Sequence, residues 1–125
     1  MKRLLLLTVS LLLLFCTSAF AGEVYETAVI SANATWTDAL YVGPGRSLDV
    51  SIYKLNSPVA TIKLFKKFDE ETTWDHEVDS WDAATLSVDE ENITRAGAGG
   101  AWYRIGCAAG DYTSGNCTVR IGQYY

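Results

Sequence analysis

Residues 59–81 read Val-Ala-Thr-Ile-Lys-Leu-Phe-Lys-Lys-Phe, then Asp-Glu-Glu-Thr-Thr, then Trp-Asp-His-Glu-Val-Asp-Ser-Trp. Two β-prone runs flank a short polar turn, the pattern of an antiparallel hairpin. Chemistry on both faces sets its register. Placing Phe68 opposite Trp74 puts Leu64 opposite Val78 on one face, and Lys67 opposite Asp75 and Lys63 opposite Asp79 on the other. Apolar and opposite-charge pairs each contribute roughly 0.2–1 kcal/mol. A one-residue slip would destroy both sets. The same register sets Lys66 against His76 on the apolar side. That conflict predicts an open sheet end or a bulge at this point.

Short alternating runs continue on both sides of this hairpin. Val24 to Ile30 and Ala39 to Val42 read as strands, with Gly43-Pro44-Gly45 a turn. Arg46 to Lys54 alternates Leu48, Val50 and Ile52 with Asp49, Ser51 and Tyr53; Leu55 to Pro58 then turns the chain into the central hairpin. Beyond it, Ala84 to Val88 and Ile93 to Arg95 read as short strands, and Ala96 to Gly100 as a connector. No stretch carries a capped i, i+3, i+4 apolar pattern, so no substantial helix is predicted. The chain is expected to be all-β: one antiparallel sandwich, Ig-like or jelly-roll-like, of about seven or eight strands.

The last segment, Trp102 to Gly122, predicts a second hairpin. Its register would oppose Tyr103 to Ile121, Ile105 to Val119, Cys107 to Cys117 and, on the other face, Arg104 to Arg120. The two arginines would call for a nearby acidic segment, drawn from Asp69–Glu91. A Cys107–Cys117 disulfide is expected at the end of the apolar ladder.

Residues 1–21 form a separate unit. Lys2 and Arg3 precede an apolar run from Leu4 to Phe15, and Ala19-Phe20-Ala21 supplies an A-x-A cleavage site. This is the layout of a cleaved signal peptide, with an apolar core too short for a confident membrane span. Secretion or periplasmic export follows, with residues 22–125 as one domain. Cleavage removes two of the 10 Lys+Arg and none of the 15 Asp+Glu, leaving a formal −7. Such a balance argues against a nucleic-acid partner, which needs a basic patch.

No catalytic residues, metal ligands or cofactors are assigned. His76 is the sole histidine and no G-x-S-x-G motif accompanies it. One histidine and two oxidised cysteines cannot close a zinc site. Ten of the fifteen acids lie between Asp69 and Glu91, but Asp75, Glu77 and Asp79 lack the glycine and distal glutamate of a calcium loop. Alternation places those three on a solvated outer face. Gly97 to Gly100 lacks the lysine of a phosphate loop. Sequons stand at Asn33, Asn92 and Asn116. The remaining chemistry is aromatic. Trp74 is expected to face inward, whereas Trp81, Trp102 and Tyr112 form the candidate binding surface, with a protein, cell-surface or glycan partner.

Two stretches resemble a family. Leu64–Trp74 and Trp102–Gln123, with its Gly-Asp-Tyr-Thr-Ser-Gly turn, are similar to a small β-sandwich domain of tailed-bacteriophage virion proteins. There a strand ending Phe-Asp leads to Thr-Trp, and a Tyr-Arg strand leads through that hexapeptide to a Val-Arg-Leu/Ile-Gly-Gln ending. The resemblance implies a non-catalytic structural or adhesion module acting by surface binding. The rival expectation is a small carbohydrate-binding module that uses exposed tryptophans.

Overall fold

A computed structural model describes residues 24–69, 71–86, 90–95 and 100–124. The leader at residues 1–21, Val88 and the Ala96–Gly99 connector lie outside the described residues. Eight strands follow in order: β1 (Val24–Ile30), β2 (Thr35–Trp36), β3 (Leu40–Val42), β4 (Ser47–Lys67), β5 (His76–Asp82), β6 (Glu90–Arg95), β7 (Ala101–Cys107) and β8 (Tyr112–Tyr124). Every pairing is antiparallel. Among the described residues there is no helix, as the lack of helical periodicity predicted. None of them therefore forms a helix long and apolar enough to cross a membrane.

The 21-residue β4 is the axis of the fold. Along one edge it pairs with β5 and then β6; along the other, with β7 and then β8. Both neighbours keep to the ladder between their strands. Ala83 N–H donates to the Ala60 carbonyl, and Thr61 N–H to the Asp111 carbonyl, each at 2.9 Å. Thus β5 with β6, and β7 with β8, are interrupted ribbons running the length of β4. β1 lies outside β8, and β2 and β3 lie outside β7. The Gly43–Arg46 turn, closed by Arg46 N–H on the Gly43 carbonyl at 3.2 Å, carries the chain from β3 into β4. The sheet curls into a nearly closed, barrel-like form.

Leu55–Pro58, expected as a turn between two strands, is instead a bend within one. The β4–β8 register shifts three times between Lys54 and Ala60, and Ser57 adopts φ 38°. Irregularities of this kind sharpen local twist and let a strand turn a corner. Gly115 faces the bend. A Cβ there would stand 2.3 Å from the Asn56 carbonyl oxygen and 2.5 Å from that of Ser57.

The terminal segment departs further from expectation. β7 and β8 do not pair with each other; they run in the same direction along β4, and residues 108–111 are a bend between them. Cys107 stands across from Thr35, and Cys117 across from Ile30 and Lys54. Both are fully buried free thiols, which corrects the expected disulfide. The physical reason is that Tyr103, Ile105, Cys107, Cys117, Val119 and Ile121 face the core either way. Alternation alone does not distinguish a hairpin from two collinear strands that share β4.

The central hairpin keeps its predicted register near the turn, with Lys66 across from His76 and Phe65 from Glu77. A bulge between Leu64 and Phe65 then shifts the ladder by one, so Leu64 meets Asp79 and Lys63 meets Ser80. Past the bulge every β5 side chain changes face. Trp81 consequently points into the core opposite Ile62, 9 % exposed, and is no part of an external surface. It joins Leu48, Val50, Ile52, Leu64, Ile105 and Ile121 in one apolar cluster. Burial of each large aliphatic side chain contributes roughly 1.5–3 kcal/mol. The expected strand from Ala84 is a turn, with Ala84 N–H on Asp82 Oδ1 at 2.9 Å and Thr85 N–H on the Asp82 carbonyl at 3.1 Å.

Candidate functional site

Alternation along β7 turns Tyr103, Ile105 and Cys107 inward and leaves Trp102, Arg104 and Gly106 on the exterior. Phe65 stands across from Arg104 and Lys67 across from Trp102 on β4. On the other flank Tyr41 stands across from Trp102, and Trp36 from Gly106. The missing side chain of Gly106 is what lets Trp36 lie down. A Cβ there would be 2.8 Å from the indole Cε3 and 2.2 Å from the Thr35 carbonyl oxygen.

The result is a cluster of rings threaded by cations. Trp36 meets Phe65 edge-on at 5.5 Å between centroids. The Arg104 guanidinium carbon lies 4.3 Å from the Trp36 ring centre and 4.6 Å from that of Trp74. Lys67 Nζ sits 5.1 Å from the same Trp74 ring. Such contacts contribute about 0.5–2 kcal/mol each, according to how far the cation is desolvated. Trp102 leans on Tyr41 at 5.3 Å and donates its indole N–H to Asp69 Oδ1 at 2.5 Å. Burial lowers the Arg104 pKa from its ordinary value, but a guanidinium stays charged at any physiological pH.

Of the three residues that alternation nominated, only Trp102 belongs to this face. Trp81 is in the core. Tyr112 serves the corner, where its hydroxyl donates to the Gly115 carbonyl at 2.9 Å and its N–H to Asn33 Oδ1 at 3.0 Å. Trp74 was expected inside and instead stacks outside on Arg104. Alternation does not single out Trp36, Phe65 or Arg104, although a glycine in mid-strand after Trp102 and Arg104 is the mark of a ring lying across the backbone.

No protein-family model matches this chain, and no curated protein matches it.

At the neighbouring hairpin tip, Glu71 accepts from Phe68 N–H at 2.7 Å and contacts His76 Nε2 at 2.7 Å. These two bonds, the backbone one first, hold the Glu71 carboxyl below the usual carboxylate range. His76 is thus occupied with the tip. Lys63 bridges Asp111 at 2.8 Å and Glu77 at 3.8 Å, in place of the Asp79 partner that the unbulged register predicted. Among the described residues no group of three or more His, Cys, Asp or Glu side chains is placed to hold a metal ion. Asn33 spends its amide oxygen on the backbone of Gly110 and Tyr112, and Asn116 is half-buried beside Cys117. An open depression of about 400 Å³ at the β4 bend is lined by Lys54, Leu55, Pro58 and Val59. Its lysine is held by the Leu86 carbonyl.

Proposed function

We propose that the chain is an exported, non-catalytic adhesion module that attaches to a glycan surface through the aromatic face on β7. One observation carries this reading: Trp36, Tyr41, Phe65, Trp74 and Trp102 gather on the exterior of one part of the sheet while the core is filled by other residues. An outer sheet face needs only polar residues to stay in water. Flat rings there offer a stacking surface at little entropic cost, with Asp69, Lys67 and Arg104 as polar groups to fix orientation. Export rests on the leader at residues 1–21. The finer fold reading, a sandwich of two facing layers, rests on β4 serving different partners in its two halves. The likeness to phage virion domains supports the same class of role, a surface-borne part without chemistry of its own.

Glycan-array binding by the wild-type protein and by Tyr41→Ala and Trp102→Ala tests the reading. Binding that either substitution weakens supports it; a wild-type protein that retains no glycan sinks it. A second, purely structural role is favoured by β1, which pairs on one side with β8 and exposes Val24, Tyr25 and Val29. Self-association that is lost in Val29→Lys would support that alternative.

A further inference from the structure

Arg104 is a partly desolvated cation. It is part-buried in the middle of the sheet, and its Nε is buried with no hydrogen-bond partner. Among the described residues no carboxylate pairs with it, contrary to the expectation of an acidic neighbour. Described acids of the hairpin tip and of the strands along β4 are engaged elsewhere: Glu77 and Asp111 with Lys63, Glu71 with His76, and Asp69 with Trp102. In a chain with 15 Asp+Glu to 10 Lys+Arg, an arginine with no carboxylate partner among the described residues is a specific arrangement. A half-desolvated guanidinium gains most from a planar anion that takes two N–H groups at once.

We infer that Arg104, framed by Trp36 and Trp74, recognises a carboxylated sugar, a uronate residue of an acidic polysaccharide. The inference rests on the glycan reading above and names its ligand class. A uronate pyranose carries its carboxylate on the rim of a ring whose faces are apolar C–H surfaces. The guanidinium lies over both indoles, 4.3–4.6 Å from their centres, so a sugar ring resting against this aromatic cluster brings its carboxylate to that cation. An acidic peptide offers no flat apolar ring next to each charge. Lys67, with its Nζ 5.1 Å from the centre of the same Trp74 ring, offers a second cation for the carboxylate of the next sugar in a repeating chain. The protein's own negative charge opposes long-range attraction of a polyanion, so binding depends on these short contacts.

The probe is oligogalacturonate, titrated into the full chain while tryptophan fluorescence and heat are recorded, alongside its methyl ester and a polyglutamate of equal charge. The acid form is expected to bind and to perturb indole emission. Removing the charge by esterification, or the guanidinium by Arg104→Gln, is expected to weaken binding by about tenfold or more, the worth of a charge-assisted pair. Arg104→Lys keeps the charge but not the fork and is expected to rescue binding only in part. Arg120→Gln, which alters the arginine stacked on Tyr25 elsewhere on the sheet, is expected to leave binding unchanged. Urea midpoints of each variant separate lost binding from lost fold. Equal binding of the ester, equal and Arg104-dependent binding of polyglutamate, or full binding by a folded Arg104→Gln protein would overturn the inference. Binding of neutral sugars alone through Tyr41 and Trp102 overturns it and leaves the glycan reading standing. If neither acidic nor neutral sugars bind, both fall.

Discussion

Trp81 stands directly across from Ile62, inside the barrel-like sheet and 9 % exposed. It is there because one extra residue is accommodated in β5 beside Leu64 and Phe65. Without that bulge Trp81 would meet Thr61 and point to solvent. Deleting the indole leaves a large cavity among aliphatic neighbours. Trp81→Ala is therefore expected to destabilise the fold by about 3–5 kcal/mol. Trp102→Ala removes a half-buried ring from the exterior and is expected to cost about 1 kcal/mol. Urea denaturation of the two variants measures the difference, and equal losses would contradict the opposite placement of the two rings.

Gly45 in the turn before β4 and Gly115 at the β4 bend form a matched pair for comparison. Both have positive φ, 74° and 75°. A Cβ at Gly45 meets nothing within 4 Å, whereas one at Gly115 strikes backbone atoms of Asn56, Ser57 and Pro58. Gly45→Ala thus incurs only the left-handed backbone cost, about 1–2 kcal/mol. Gly115→Ala adds a clash with carbonyl oxygens that no rotamer relieves, so its loss of stability should clearly exceed that of Gly45→Ala. A thermal or chemical denaturation series decides it.

How far the sequence discloses the fold depends on how many faces constrain each pairing. Lys66–His76 and Phe65–Glu77 are legible because the short turn between the two runs fixes which residues meet beside it. The Lys66–His76 conflict announces an open end or a bulge there, but not that the bulge displaces Leu64–Val78 and Lys63–Asp79, which look sound on paper. In the terminal segment the inward set is the same for a hairpin and for collinear strands, and only the competing edge of β4 decides. The aromatic face is harder still. Trp36 reaches Arg104 across Gly106, about seventy positions along the chain, and periodicity carries no trace of a contact between one strand and a distant glycine. A mid-strand glycine between alternating outward residues was the one local sign.

Cys107 and Cys117 give a prediction opposite to that of a stapled domain. Burial pushes the Cys107 thiol up, and burial followed by the neighbouring Cys107 pushes Cys117 up to about 11. Both should resist alkylation in the native state. In the protein without residues 1–21, which carry Cys16, both remaining thiols should become reactive on unfolding without reductant, counted by mass spectrometry. Because the folded thiols hold their protons more tightly than the unfolded ones, their contribution to stability is complete below the unfolded value near 9.0. It is lost as pH rises toward about 11. Cys117→Ala should flatten that part of the alkaline decline.

The tip of the central hairpin should respond at the opposite end of the pH scale. Glu71 holds Phe68 N–H and His76 together across the turn, and the backbone bond, then the imidazole, keeps its carboxyl ionised below the usual range. A depressed folded value means that the contribution is complete above the ordinary carboxylate pKa, 4.5, and disappears as pH falls through the lower folded one. The group is exposed, so the effect is local and does not unfold the domain. In an NMR titration the Phe68 amide should shift with an apparent pKa below 4.5, together with the Glu71 carboxyl carbon. Glu71→Gln should abolish that acid transition. A Phe68 amide that stays fixed below 4.5 in the wild type would show that Glu71 does not close the turn.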